Sequence, residues 1–202
     1  MKIIENICKE SDCYKAGRTI EVKGLMIHSV GCPQPKAQAF INNWNKPGVS
    51  ACVHAIVEPD GDVYQLLPWN HRGWHGGGLA NNTHIGVEMT EPDTIRYVGG
   101  ANWEEVGDGS KTKAHVFATY KTAVELFAYL CKEFSLNPMA DGVIISHVIG
   151  FFRLHGCVYL FAKLLHSQPK VSPQMLYISV VTSHPSFIAF CMRNNYTICH
   201  WI

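Results

Sequence analysis

The spacing of apolar and polar positions changes along this chain, and each change marks an element. In "TIEVKGLMIHSVG", residues 19–31, alternation gives way to an apolar run that ends on His28. That pattern predicts a strand with a histidine at its C-terminal end. "KAQAFINNWN" follows "CPQP" and spaces Ala37, Phe40, Ile41 and Trp44 at helical intervals. "ACVHAIVEPDGDVYQLLP" sets two β-rich runs around Pro59-Asp60-Gly61-Asp62, a hairpin signal. "WNHRGWHGGGLANNT" reads as a long loop. "HIGVEMTEP" reads as a strand with Ile85, Val87 and Met89 on one face and His84, Gly86 and Glu88 on the other. Residues 93–110 are polar and contain glycine, which predicts an excursion or flap. Residues 111–134 predict the longest helix, with a stripe of Val116, Tyr120, Ala123, Val124, Phe127, Leu130, Cys131 and Phe134. "ADGVIISH" predicts a last strand, ending on His147. Strands mixed with helices imply an α/β architecture, a single domain with a central mixed sheet flanked by helices.

Composition changes this picture at one place. All 16 acidic residues fall within residues 1–147, and residues 148–202 contain none. At the density of the first part, about six would be expected in the remainder. The expected division is therefore a folded body over 1–147, with an outer limit near residue 165, and an atypical acid-free C-terminal segment over 148–202. That segment has weak helical spacing around 157–165 and a strand-like "MLYISVV".

The remaining bulk properties mostly exclude. A chain of 202 residues is long enough for one full core. A net charge of +1 offers no general attraction to nucleic acid or an acidic membrane surface. No apolar run approaches the roughly 18 residues of a membrane span. The opening "MKIIENICKESDCYK" lacks the apolar core of a secretory signal, so cytoplasmic synthesis is expected. The eight cysteines form no C-x-x-C pair and are expected to be mostly small buried hydrophobes rather than a disulfide framework.

His28, Glu88 and His147 share one property: each stands at or near the end of an apolar strand. Strand ends of a helix-covered open sheet line the crevice where ligands bind. Two imidazoles and a carboxylate converging there suggest a zinc hydrolase, because zinc takes neutral imidazole nitrogen and its bound water becomes acidic. A strand-end histidine taken singly is more often a packed, hydrogen-bonded residue. Glu88 is harder to assign to packing, since a glutamate within an apolar β run is unusual unless it faces a cleft.

"KGLMIHSVGCPQP", "ACVHAIVEPDGDVYQLLPWNHRGWHGGG", "NNTHIGVEMTEP", "TYKTAVELFAYLCKEF" and "DGVIISH", in that order, resemble the type-2 N-acetylmuramoyl-L-alanine amidases of phage endolysins and bacterial autolysins. These are akin in fold to peptidoglycan-recognition proteins, and the wording is most similar to prophage-type amidases of clostridia-like bacteria. The resemblance covers about residues 1–147. It implies a shallow groove over one end of the sheet, Zn2+ as cofactor, and bacterial peptidoglycan as substrate. The bond cleaved would join N-acetylmuramic acid to L-alanine. His28 and His147 fall on the family's first two zinc ligands, and Glu88 falls on its catalytic glutamate. Trp69, Trp74, His75 and Asn82 fall in the loop beside the substrate groove, and His54 on the hairpin strand near the site, where it would touch substrate or the metal's water. Release to the wall through a holin-like partner, with no membrane insertion, goes with the endolysin resemblance.

The chain departs from that family after His147. The family's third ligand is an aspartate preceded, two residues earlier, by a histidine that assists the oxyanion. No aspartate follows Asp141 here, and the expected position holds Phe161. His155-Gly156-Cys157 keeps the order with cysteine in place of aspartate, and thiolate is a sound zinc ligand. Cys157 would then be the third ligand and His155 the electrophilic assistant. The competing reading is a catalytically impaired remnant that at most binds peptidoglycan. A zinc peptidase of another kind lacks its H-E-x-x-H signature.

Overall fold

The computed structural model describes residues 1–100 and 102–146. His147, His155, Cys157 and the rest of the acid-free segment lie outside the described residues. The body is built on a six-stranded mixed sheet. Its strands are β1 (Lys2–Glu5), β2 (Gly24–Ser29), β3 (Ala55–Val57), β4 (Asp62–Gln65), β5 (His84–Met89) and β8 (Ile144–Ser146). Their spatial order is β1-β4-β3-β5-β2-β8. Only β3 and β4, joined by the turn at Pro59–Asp62, run antiparallel, while the other neighbours run parallel. A separate two-stranded hairpin, β6 (Ile95–Gly99) and β7 (Asn102–Glu105), occupies the expected flap.

Alternation along the strands divides the core in two. Leu25, Ala55, Val57, Ile85, Val87 and Met89 point to the face covered by α3 (Gly109–Glu133). There they meet Tyr120, Ala123, Leu126, Phe127, Leu130 and Cys131. From Tyr120 onward the predicted helical stripe is this contact, with Leu126 added to it, whereas Val116 packs separately with Trp103 and Phe117. Thr112, Thr119 and Thr122 are buried on the same helix. Asp108 starts α3 as its N-cap, its carboxylate accepting from the Ser110 N–H at 2.9 Å. On the opposite sheet face, Ile56 joins Cys8, Cys13, Ala37, Ile41, Cys52, Val53, Leu66 and Leu67 under α1 (Asp12–Lys15) and α2 (Ala37–Trp44). The five described cysteines are free thiols, and all but Cys32 are buried.

Long-range contacts supply what the local sequence lacks. The residue before α2, Lys36, makes no side-chain cap. The buried Glu58, at the β3–β4 turn, takes that role. It accepts from the Ala37 N–H at 2.7 Å and from Lys36 Nζ at 2.6 Å, so a carboxylate sits at the positive end of the helix. Residues 19–23 do not join the sheet as the alternation predicts, and only an isolated bridge between Thr19 and His71 forms there. β1 and α1 have no strong sequence signal. β1 is stabilised as a strand by parallel pairing with β4. Among the described residues, no helix is long and apolar enough to cross a membrane.

Candidate active site

Register places the chemistry. β2 and β5 pair with His28 opposite Glu88, and β5 and β3 pair with Glu88 opposite Ile56. Residues opposed across parallel strands project to the same face. Leu25 and Val87 project toward α3, so His28 and Glu88 stand side by side on the other face, near the carboxyl ends of their strands.

Glu88 is half-buried, but its Oε2 is sealed from solvent and has no hydrogen-bond partner among the described residues. Burial, reinforced by the nearby Glu91 carboxylate, pushes its carboxyl up to about 8. A buried polar atom left unpaired destabilises the fold, and such atoms collect where a ligand or reaction will satisfy them.

Glu91 stands just past β5 and is itself buried. It accepts a short hydrogen bond from the Ser29 hydroxyl, one from the Gly31 N–H at 3.1 Å, and one from the Tyr97 hydroxyl at 2.9 Å. It ties the chain that leaves His28 to the β6–β7 hairpin. Burial raises its carboxyl, and these donors oppose the rise. Glu91 is a site residue beyond those expected from sequence. Its signal was a second acid three residues after Glu88, at the end of an apolar strand.

A histidine cluster backs the site. His54, immediately before β3, is fully buried. Its Nδ1 accepts from the Gly86 N–H at 2.9 Å, so its Nε2–H donates to the His71 carbonyl at 2.8 Å. Burial holds this ring neutral, with its pKa pushed down to about 4. His75 lies edge-on to both His54 and His28, at ring-centroid distances of 5.6 Å and 5.1 Å. Its Nδ1 is 3.0 Å from His28 Nε2. Burial, then the neighbouring His54 and His28, holds the His75 pKa well below its usual value.

Two glycines make room for the His75 ring. A Cβ on Gly86 would stand 2.5 Å from His75 Cγ, and one on Gly73 would stand 2.6 Å from its Cδ2. Asn81 fixes the loop, its Oδ1 accepting from the N–H groups of His75 and Gly76 at 2.9 and 2.8 Å. Gly86→Ala is therefore expected to unseat the ring and cost about 1–3 kcal/mol by overpacking. Urea unfolding checks the cost, and the loss of the His28–His75 contact is checked by their ring NMR shifts.

The other residues expected at the substrate groove are spread out. Trp69 packs against the core under α3. Trp74 packs against the second core, and its backbone bridges to Cys52. Asn82 is exposed. Its Oδ1 accepts from Arg72 Nε at 2.6 Å and its Nδ2 donates to the Gly78 carbonyl at 3.2 Å. Of the expected groove residues, the structure brings His75 against His28 and sets His54 edge-on to His75.

The zinc implied by the resemblance can be tested against these residues. His28 supplies an imidazole at a strand end, and the Glu88 oxygen with no partner among the described residues belongs to the residue opposite it. Both fit a zinc hydrolase. Among the described residues, no three His, Cys, Asp or Glu side chains gather around one point. Further ligands would have to come from beyond Ser146, where His147, His155 and Cys157 stand in the sequence.

The fold and site define an α/β protein with an imidazole and a sealed carboxylate at the ends of neighbouring parallel strands. The chain belongs to the N-acetylmuramoyl-L-alanine amidase family, whose model matches residues 18–173. The match runs past the expected limit of the folded body and includes His147, His155 and Cys157. Over 74 residues the chain is 31% identical to the 1,6-anhydro-N-acetylmuramyl-L-alanine amidase AmpD of Escherichia coli (strain K12), covering 33% of this chain and 39% of that protein. The chain thus spans about two-fifths of the length of that relative. Its fold is that of PlyL, with a TM-score of 0.59 at 18% identity over 85% of this chain and 100% of that one. It also matches a mutant endolysin from Bacillus subtilis, with a TM-score of 0.57 at 19% identity over 81% of this chain and 96% of that one.

Proposed function

We propose that this chain hydrolyses the amide between N-acetylmuramic acid and L-alanine in bacterial peptidoglycan. Membership of the amidase family supports the substrate class. The observation that carries the mechanism is the buried, unpartnered Oε2 of Glu88 beside His28. In this reading His28, His147 and Cys157 hold zinc. His147 follows directly on β8, which runs parallel to the strand of His28. When bound, zinc supplies Lewis acidity toward the scissile carbonyl and the attacking water.

The protein's own groups do the rest. Glu88 takes a proton from the attacking water and passes it to the leaving alanine nitrogen. Its raised pKa suits both halves of that cycle, because a group that titrates near neutrality can accept and then release a proton. His155 donates to the carbonyl oxygen as negative charge develops there. His54, with both nitrogens committed inside the fold, supports the site and does not touch substrate.

Zinc content of the purified full chain, measured with the loss of turbidity of cell-wall suspensions, tests this. About one zinc per chain together with lysis is expected. Cys157→Ala should lose the metal and Cys131→Ala should keep it. Equal zinc in Cys157→Ala and the parent refutes that ligand. The missing aspartate after Asp141 favours a second reading, a remnant that binds peptidoglycan without cleaving it. Wall binding with neither zinc nor lysis would establish that reading instead.

A further inference from the structure

We infer that His75 is a positioning residue for His28, fixing which of its ring nitrogens is offered to a metal. His75 Nε2 lies 3.2 Å from the backbone carbonyl of His84. A carbonyl only accepts, so this nitrogen carries the hydrogen and donates it. An uncharged imidazole carries a single ring hydrogen, so with that hydrogen on Nε2 its Nδ1 is left with a bare lone pair. At 3.0 Å from that lone pair is Nε2 of His28. Two lone pairs at this distance would repel, so His28 Nε2–H donates to His75 Nδ1. Zinc takes a neutral imidazole, and in that form of His28 the lone pair is on Nδ1, which is then its ligand atom.

The rest of the cluster holds this arrangement in place. The ring of His75 can approach His28 only because Gly86 and Gly73 lack side chains. Asn81 fixes its backbone, and His54, locked by two hydrogen bonds of its own, stands edge-on behind it. Metal-binding histidines usually direct their second N–H to a carboxylate, a backbone carbonyl or water, and removing that partner typically weakens metal binding 10–100-fold. Here a second imidazole takes the place of that partner and passes the hydrogen-bond chain on to the His84 carbonyl.

The metal half of this inference rests on His28 being a zinc ligand, whereas the tautomer half does not. Long-range proton–nitrogen NMR of the metal-free full chain reads the tautomer directly, with the His28 signals assigned by their absence in His28→Gln. The parent should show His28 protonated on Nε2. His75→Asn puts an oxygen acceptor near the position of Nδ1 and should keep that tautomer. His75→Phe keeps a ring without an acceptor and should let Nδ1–H appear. Competition with a chelator should then show zinc held about 10–100-fold more weakly by His75→Phe than by the parent, with His75→Asn in between.

An Nδ1–H tautomer of His28 in the parent overturns the inference and needs no folded variant. So do His28 shifts and zinc affinity in His75→Phe equal to those of the parent, and in that case the metal reading survives. If His28 loses its Nε2–H in His75→Phe while no variant binds zinc, the positioning role stands and the metal reading falls.

Discussion

Glu88→Gln is expected to lower cell-wall hydrolysis by about 10²–10⁴-fold, the usual contribution of a general base, while making the metal-free protein more stable. The two effects have one cause. The folded protein holds the Glu88 proton up to a pKa of about 8, against an ordinary value of 4.5. Between those values the folded state binds more protons than the unfolded chain, so stability falls as pH rises through the window. Glutamine cannot ionise and escapes that loss. Urea midpoints of parent and variant should agree below about pH 4.5 and separate above it. By about pH 8 the gap should be on the order of a few kcal/mol in favour of the variant. A variant that still lyses walls at the parent rate would show that the base lies elsewhere. A gap that does not change with pH would show that Glu88 is not held neutral by the fold.

His54→Ala is expected to cost about 3–5 kcal/mol, the range for emptying a buried aromatic site. The ring is fully buried, and its removal also strands the Gly86 N–H and the His71 carbonyl. Unpaired buried groups add their own desolvation penalty. Equilibrium unfolding in urea measures the loss, and a cost below about 1 kcal/mol would contradict this account. The parent should also carry a pH dependence that the variant lacks. The folded pKa of His54 is depressed from 6.5 to about 4, so the unfolded chain binds the extra proton and stability falls as pH drops through that window. His75, whose pKa is also depressed, acts in the same direction.

Much of the fold was legible because strand and helix periods differ. The apolar alternation of "HIGVEM" and the stripe on residues 111–134 each have a single solution for burial, and the structure adopts it. Both also pointed to the site, since an alternating strand that carries Glu88 on its polar face marks that face as a cleft wall. Other elements have no such local signature. β1 is short and becomes a strand only by pairing with β4. α2 takes its cap from Glu58 on a distant turn. In "WHGGG" nothing distinguishes His75 from the neighbouring loop aromatics. Trp69 has the same sequence credentials as His75, yet it packs against the core under α3.

The sequence by itself determined the order of β2, α2, β3, β4, β5, α3 and β8 along the chain, the placing of His28 and Glu88 at strand ends, and the acid-free composition after residue 147. These follow from periodicity and residue type, which are local properties. Tertiary structure decided the register that sets His28 opposite Glu88, the burial that raises Glu88, and the choice of His75 as the partner of His28. Those depend on which distant groups share one space. An unpaired oxygen or a fixed tautomer arises only when packing removes water and settles which neighbour each polar atom keeps.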